Sequence, residues 1–248
     1  LKALGYDGVE FAGFYGHSAQ DVRAMLEECG LRAVSSHVAL KLIEADMQGV
    51  IDYHKAIGCD YIAVPYLSAD QRPGTPAFAG VLRTIYQFGC LCRDNGIQLL
   101  YHNHDFEFVS FSGMYALDFL YAAMPEDVLK TEIDVCWVKY AGEDPAAYLR
   151  KYAGRAPVVH LKDFVGRKEG DTAPYGLLGQ SETKAAGEVP FEFRPVGYGC
   201  QDVSAVAEAG LDAGAKWFVV EQDASVGRTP LEAAAMSIDT LRKIGLKG

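Results

Sequence analysis

One pattern recurs along the chain: an amphipathic stretch of helical period, then a glycine, then a short and nearly continuous hydrophobic run. It reads ALGYDGVEF, ECGLRAVSSHV, AIGCDYIAVPY, DNGIQLLYHNH and DAGAKWFVVEQ. The glycines Gly5, Gly30, Gly58, Gly96 and Gly214 stand where a helix ends in a left-handed residue. The runs behind them are rich in β-branched and aromatic residues and do not alternate with polar ones. That suits strands of a parallel sheet covered on both faces. Helix starts are marked by Ser18 with Asp21, Thr75-Pro76, Asp144-Pro145 and Thr229-Pro230, each offering a side-chain cap. The pattern predicts strands near 8–12, 32–38, 61–66, 97–103, 130–136, 157–162 and 217–222. Helices are expected near 18–29, 47–57, 76–95, 114–124, 145–153, 201–213 and 230–244.

Strands alternating with helices of this length make βα units and an α/β fold. The 248 residues suit one TIM-barrel domain, a (β/α)8 barrel running to about 250 residues. Seven strands are visible, and the chain opens on what reads as the tail of a helix, LKALG. The first strand is therefore expected to be missing at the N-terminus, leaving the edges of the first and last visible strands exposed. The longest irregular stretch, 165–195, is polar and Gly-rich and follows a strand, the side of a barrel where long loops carry function.

Composition narrows the function classes. The formal net charge is −10, with 23 Lys+Arg against 33 Asp+Glu and no basic run, which argues against a nucleic-acid or anionic-membrane partner. No apolar run approaches the roughly 18–20 residues of a membrane span. The cysteines Cys29, Cys59, Cys90, Cys92, Cys136 and Cys200 lack metal-finger spacing and read as buried thiols of a cytoplasmic protein. Nothing in the sequence sets the oligomeric state, and a homo-oligomer is compatible with it.

In a parallel βα barrel the reacting groups come from the C-terminal ends of strands. Four consecutive strands here end in ionisable residues: His102-Asn103-His104-Asp105-Phe106-Glu107, Glu132-Ile133-Asp134, His160-Leu161-Lys162-Asp163 and Glu221-Gln222-Asp223. Taken singly, His160 reads as a satisfied core histidine, and Glu221 or Asp134 as a cap or an ion-pair partner. Taken together, several carboxylates at one barrel mouth would repel unless a cation sat among them. One His with two or three carboxylates suits Mn²⁺, Mg²⁺, Co²⁺ or Zn²⁺. His37 and Glu10 end neighbouring strands and are candidate substrate contacts or buried hydrogen-bonding groups. His54 reads as a surface residue and His17 as a loop residue. Gly197-Tyr198-Gly199 is a weak candidate for an anion-binding turn.

The order and spacing of GYDGVEF, HNHDFEF, EIDVCWV, GRAPVVHLKDF, VGYG and WFVVEQD are similar to those of the xylose isomerase-like TIM-barrel superfamily of sugar phosphate isomerases and epimerases. The resemblance spans nearly the whole chain. It implies a divalent metal held by Glu, Asp, His and Glu from four neighbouring strands. By position, Asp134, His160 and Glu221 match the second, third and fourth ligands. The first departs, since the usual Glu-Asn is His102-Asn103 here. Either His102 takes that place or Glu107 folds back to supply the carboxylate, and the short apolar DFEF loop favours Glu107.

The implied activity is isomerisation or epimerisation of a sugar, keto-sugar or sugar phosphate by proton transfer through a metal-stabilised enediolate. Glu221 is the expected base and metal ligand, and His102 or His104 the opposing acid/base. Lys162 is expected to neutralise a developing oxyanion, and Trp137 to wall a sugar face or to serve as an ordinary core aromatic. A dehydratase or lyase would use the same residues. A DNA-repair endonuclease is disfavoured by the acidic charge. A non-catalytic carbohydrate-binding subunit is kept open by His102.

Overall fold

A computed structural model describes residues 1–166 and 190–246. In chain order its strands are β1 Gly8–Phe11, β2 Arg32–Ser36, β3 Tyr61–Val64, β4 Gln98–His102, β5 Ser110–Phe111, β6 Met114–Tyr115, β7 Lys130–Asp134, β8 Val158–Leu161, β9 Asp163–Val165, β10 Glu192–Arg194 and β11 Trp217–Val220. The α-helices are α1 Ala19–Cys29, α2 Leu40–Ala45, α3 Met47–Ile57, α4 Phe78–Asp94, α5 Ala116–Ala122, α6 Val135–Tyr140, α7 Pro145–Lys151, α8 Val203–Asp212 and α9 Pro230–Lys243.

The chain adopts the TIM-barrel fold. Strands β3, β4, β7, β8 and β11 pair in parallel in that spatial order. Strand β1 pairs in parallel with β2, and a parallel bridge from His37 to Ala63 joins this pair to β3. Among the described residues, β1 and β11 are each paired on one side only. Between them lies a cavity of about 520 Å³ walled by Val9, Phe11, Phe218 and Val220, with Glu10, His37 and Glu221 also on its lining.

The alternation of side chains along each strand divides the molecule. One set, including Ile62, Val64, Leu99, Tyr101, Ile133, Val159 and Leu161, joins the helices in the main apolar core. The opposite set meets inside the curl of the sheet, where Ala63, Leu100 and Val158 pack with Val219 and Trp217. A two-residue step along the same faces leads from Leu100 to His102, from Val158 to His160 and from Val219 to Glu221. The interior is thus apolar at the start of the strands and ionisable at their ends.

Local chemistry explains most element boundaries. Ser18 and Asp21 form a reciprocal capping box for α1, as do Thr229 and Glu232 for α9. Asp144 accepts from Ala146 N to start α7, with Pro145 in its first turn. Gly30 and Gly58 close α1 and α3 at φ 65° and 70°. Four expectations are corrected. Thr75 does not cap α4; its hydroxyl donates to the Arg72 carbonyl, and the helix starts at Phe78. The strand expected to reach 136 stops at Asp134, whose carboxylate accepts from Cys136 N and Trp137 N and turns Val135–Tyr140 into α6. Met114-Tyr115 belongs to a hairpin rather than to α5. The irregular stretch 165–195 begins and ends in order, β9 pairing antiparallel with β10, while 167–189 lies outside the described residues. All six cysteines are free, but only Cys59, Cys92 and Cys136 are buried; Cys29 and Cys200 are exposed. No helix among the described residues is long and apolar enough to cross a membrane.

Pairing on both sides protects strand amides from opening to solvent. Hydrogen exchange followed by mass spectrometry should find β4, β7 and β8 slow, and β1 and β11 distinctly faster. Uniform protection across all seven parallel strands would contradict this description.

Candidate metal centre

Strand register brings the ionisable residues together. Opposite pairs are His102 with Glu132 across β4 and β7, and Asp134 with His160 across β7 and β8. Glu221 directly follows β11, and its amide donates to the Leu161 carbonyl. The potential ligand atoms of His102, Asp134, His160 and Glu221 lie within 4.8 Å of one another. A second group, His37, His102, Glu132 and His160, meets the same limit and shares two imidazoles with the first.

The two groups use opposite nitrogens of those imidazoles. His102 Nε2 is 3.6 Å from Asp134 Oδ2, and its Nδ1 is 3.2 Å from Glu132 Oε1. His160 Nδ1 is 2.8 Å from Glu221 Oε2, whereas its Nε2 is 2.9 Å from Glu10 Oε1 and 3.2 Å from Glu132 Oε1. His37 Nε2 reaches Glu132 Oε1 at 2.8 Å and Glu10 Oε1 at 3.1 Å. Lys162 stands on the Asp134 side, 2.8 Å from Asp223, 3.2 Å from Glu221 and 3.8 Å from Asp134.

Burial sets the electrostatics. His102, Glu132, Asp134, His160 and Lys162 are each at most 2% exposed. Burial opposes the charge on Glu221, but Lys162 and His160 outweigh it and hold the carboxyl well below its ordinary value. Burial likewise opposes charge on His160, and Glu10, Glu132 and Glu221 overcome it and raise its pKa. For His37 the same contest, won by Glu10 and Glu132, ends at about 10. His102 goes the other way: burial dominates its hydrogen bond to Glu132 and pushes it down to about 4. Asp134 is raised by burial, which Lys162 only partly offsets. Lys162 itself is held firmly charged by Glu221, Asp134 and Asp223 against its own burial.

The expected mutual repulsion of the carboxylates is therefore relieved in part by Lys162 and two imidazoles. It is not relieved fully. Asp134 Oδ2 and Glu132 Oε2 are buried without a hydrogen-bond partner among the described residues. Such orphaned oxygens are costly in a dry interior. Two imidazoles and two carboxylates around one point fit a divalent ion such as Mn²⁺, Co²⁺ or Zn²⁺. A neutral His102 has the lone pair that ligation needs.

The sequence-expected residues divide as follows. His102, Asp134, His160, Glu221 and Lys162 come together, with Glu10 and His37 on the far side of the imidazoles. Glu107 does not join them. Its carboxylate accepts from Tyr101 Oη at 2.6 Å and from His104 N at 2.8 Å, so the DFEF loop turns it back onto its own strand. Burial pushes its pKa up to about 7. His104 is stacked between Phe106 and Trp137, both centroids at 5.2 Å. Trp137 is 1% exposed, and Lys162 Nζ lies 5.2 Å from its ring. His54, expected at the surface, is buried; its Nδ1 pairs with the Val50 carbonyl one helical turn back. The glycine turn 197–199 is already filled, since Asp163 accepts from the amides of Gly197, Gly199 and Gln201.

Glu132 and Asp223 were missed as site residues. For Glu132 the signal was present: a two-residue step puts it on the same strand face as Asp134, in a strand buried from Thr131 onward. Asp223 carried no comparable signal, because only the fold of the loop after β11 brings it to Lys162.

A parallel βα barrel with a buried, metal-compatible cluster where its strands end defines the class of protein. The particular family follows from comparison: the model for the xylose isomerase-like TIM barrel matches residues 1–244, and the chain belongs to that family. No curated protein matches. Among solved structures, a sugar phosphate isomerase/epimerase from Parabacteroides distasonis ATCC 8503 is similar, with 20% identity, a TM-score of 0.76, and coverage of 97% of this chain and 85% of that one. A xylose isomerase-like TIM-barrel protein from Mycobacterium smegmatis, solved in complex with magnesium, has 16% identity and a TM-score of 0.68, covering 98% and 85%. An L-ribulose 3-epimerase has 12% identity and a TM-score of 0.65, also covering 98% and 85%. At these identities the likeness is one of fold.

The raised pKa of His37 has a consequence for stability. Its imidazolium contributes fully below the unfolded value of about 6.5 and is lost as pH rises through about 10. The metal-free chain should lose stability across that window in denaturant titrations, and His37→Gln should lose less. Equal slopes for the two proteins would refute the assignment.

Proposed function

We propose that the chain is a divalent-metal-dependent sugar isomerase or epimerase that moves a proton on a carbon beside a carbonyl. The convergence of His102, Asp134, His160 and Glu221 beside Lys162 carries this reading. His102, Asp134, His160 and Glu221 would hold the ion, with His102 in the place considered for Glu107. When bound, the ion supplies Lewis-acid stabilisation of the negative charge that develops on the substrate oxygen.

The chain's own residues divide the remaining work. Glu221 has a side chain 27% exposed, against 0–2% for His102, Asp134, His160 and Lys162, so it is the carboxylate of the set that a substrate can meet. Lys162 and His160 keep it ionised, as a base must be. Lys162, fixed by three carboxylates, cannot act as a base; its ammonium lies where a developing oxyanion can be neutralised. With His102 used as a ligand, His104 is left as the second proton carrier. Burial holds it neutral, and Phe106 and Trp137 fix its ring plane. Because Asp163 fills the Gly197–Gly199 turn, that turn has no amides to spare for phosphate, which favours an unphosphorylated sugar or keto-sugar. The structural likeness to a sugar phosphate isomerase/epimerase and to an L-ribulose 3-epimerase agrees with the reaction class.

The test is solvent-deuterium incorporation. Ketoses and keto-glycosides are incubated in D₂O with the Mn²⁺-loaded protein and read by NMR. A reactive sugar should gain deuterium beside its carbonyl. Glu221→Gln should cut the rate by on the order of 10²–10⁴-fold while the fold persists. Chelation should stop exchange, and added Mn²⁺ or Co²⁺ should restore it. Exchange that ignores chelation, or survives Glu221→Gln, would overturn the reading.

A further inference from the structure

Of the three carboxylates beside Lys162, one is neither a potential ligand nor the base. Asp223 lies outside both groups of ligand atoms, and its Oδ1 meets Lys162 Nζ at 2.8 Å. That is the shortest contact the ammonium makes, ahead of Glu221 at 3.2 Å and Asp134 at 3.8 Å.

The three are not equally free to hold it. Asp134 Oδ1 is taken by the amides of Cys136 and Trp137, and its Oδ2 stands 3.6 Å from His102 Nε2. Glu221 Oε2, the oxygen facing Lys162, also lies 2.8 Å from His160 Nδ1. Among the described residues, Lys162 is the one partner of the Asp223 carboxylate. Both segments that carry this pair are fixed. Asp163, next to Lys162, accepts from the amides of Phe164, Gly197, Gly199 and Gln201. Gln222 ties down the turn that carries Asp223, donating to the Ala224 carbonyl at 2.8 Å and to Ser225 Oγ at 3.3 Å. What the backbone leaves open is the flexible four-carbon stem of Lys162. The rings of Trp137 and Phe193, 5.2 and 5.0 Å from Nζ, attract the cation but offer it no acceptor atom.

We propose that Asp223 is a positioning residue that holds the Lys162 ammonium off Glu221 and ready for the oxyanion of the substrate. This rests on the proposed function and deepens it. Without Asp223 the ammonium is left to Glu221 and Asp134, and it settles against Glu221, the nearer of the two. The developing oxyanion then loses its counter-charge, and the base is paired more tightly. Both effects act on the transition state and not on sugar binding, so the loss falls on kcat and spares KM.

The test compares Asp223→Ala and Asp223→Asn with the wild type. Initial rates of deuterium uptake by the Mn²⁺-loaded proteins are measured against sugar concentration, with the ketoses and keto-glycosides of the exchange test, D-fructose first. Asp223→Ala should lower kcat roughly 10–100-fold with KM little changed. Asp223→Asn keeps an acceptor oxygen beside Nζ and should recover most of the rate; it also tests the proposal if the alanine variant does not fold. Crystals of the metal-free proteins supply a readout independent of activity. Nζ should keep its place in the wild type and in Asp223→Asn, and should close onto Glu221 in Asp223→Ala. Unchanged kcat in folded Asp223→Ala, or a loss carried by KM, would overturn the proposal and leave the proposed function standing. Nζ unmoved in Asp223→Ala would refute the positioning by itself. A wild type that exchanges none of these sugars would sink the proposed function and the catalytic part of this proposal together.

Discussion

The structure depends on one constraint: Glu132 and Asp134 carry carboxylates into a fully buried interior, with Glu10 and Glu221 at its cavity edge, and each charge must be answered. Lys162 answers Glu221 and Asp223, and two imidazoles answer Glu10 and Glu132. Asp134 is left undercompensated, and its orphaned oxygen faces the point where His102, His160 and Glu221 meet. An interior built only for stability would favour apolar side chains here, as the lower level of the same barrel does with Ala63, Leu100 and Val158. The charges are held in place by the fold and are available for chemistry.

Backbone geometry makes this arrangement possible. Alternation keeps every second residue of a strand on one face, so apolar and ionisable levels stack along the same strands. Asp134 shows the economy of the design. Its Oδ1 accepts from Cys136 N and Trp137 N, ending β7 and starting α6, while Oδ2 faces the cluster. One side chain thus links where a strand stops to where a ligand oxygen points. Asp163 does a similar structural task one strand later, gathering three amides of the 197–201 turn and leaving no room there for a β-carbon at Gly199.

Much of the fold was legible because periodicity and capping are local. Capping boxes, C-terminal glycines and apolar runs need only a few neighbouring residues, and α1, α7 and α9 start where their caps stand. The failures have local rivals as their cause. Val135-Cys136-Trp137-Val138 reads as strand by side-chain type, but the Asp134 cap bends it into a helix. Thr75 reads as a cap, but its hydroxyl finds the Arg72 carbonyl first. His54 reads as a polar helix residue, yet its turn faces the interior and its Nδ1 bonds back to Val50.

The sequence by itself determined the βα order, the strands whose ends carry ionisable groups, and the membership of Asp134, His160, Glu221 and Lys162 in one cluster, because strand position and side-chain parity suffice for these. Only the tertiary structure brings His102, and not Glu107, beside Asp134, His160 and Glu221. Glu107 is drawn back to Tyr101 and His104, a contest among hydrogen bonds that no spacing reveals. It also decided that Glu132 meets three imidazoles, His102 and His160 of two other strands and His37 just after β2. That meeting depends on the curl and stagger of the sheet, which set distances between strands remote in sequence, and a one-dimensional pattern does not encode them.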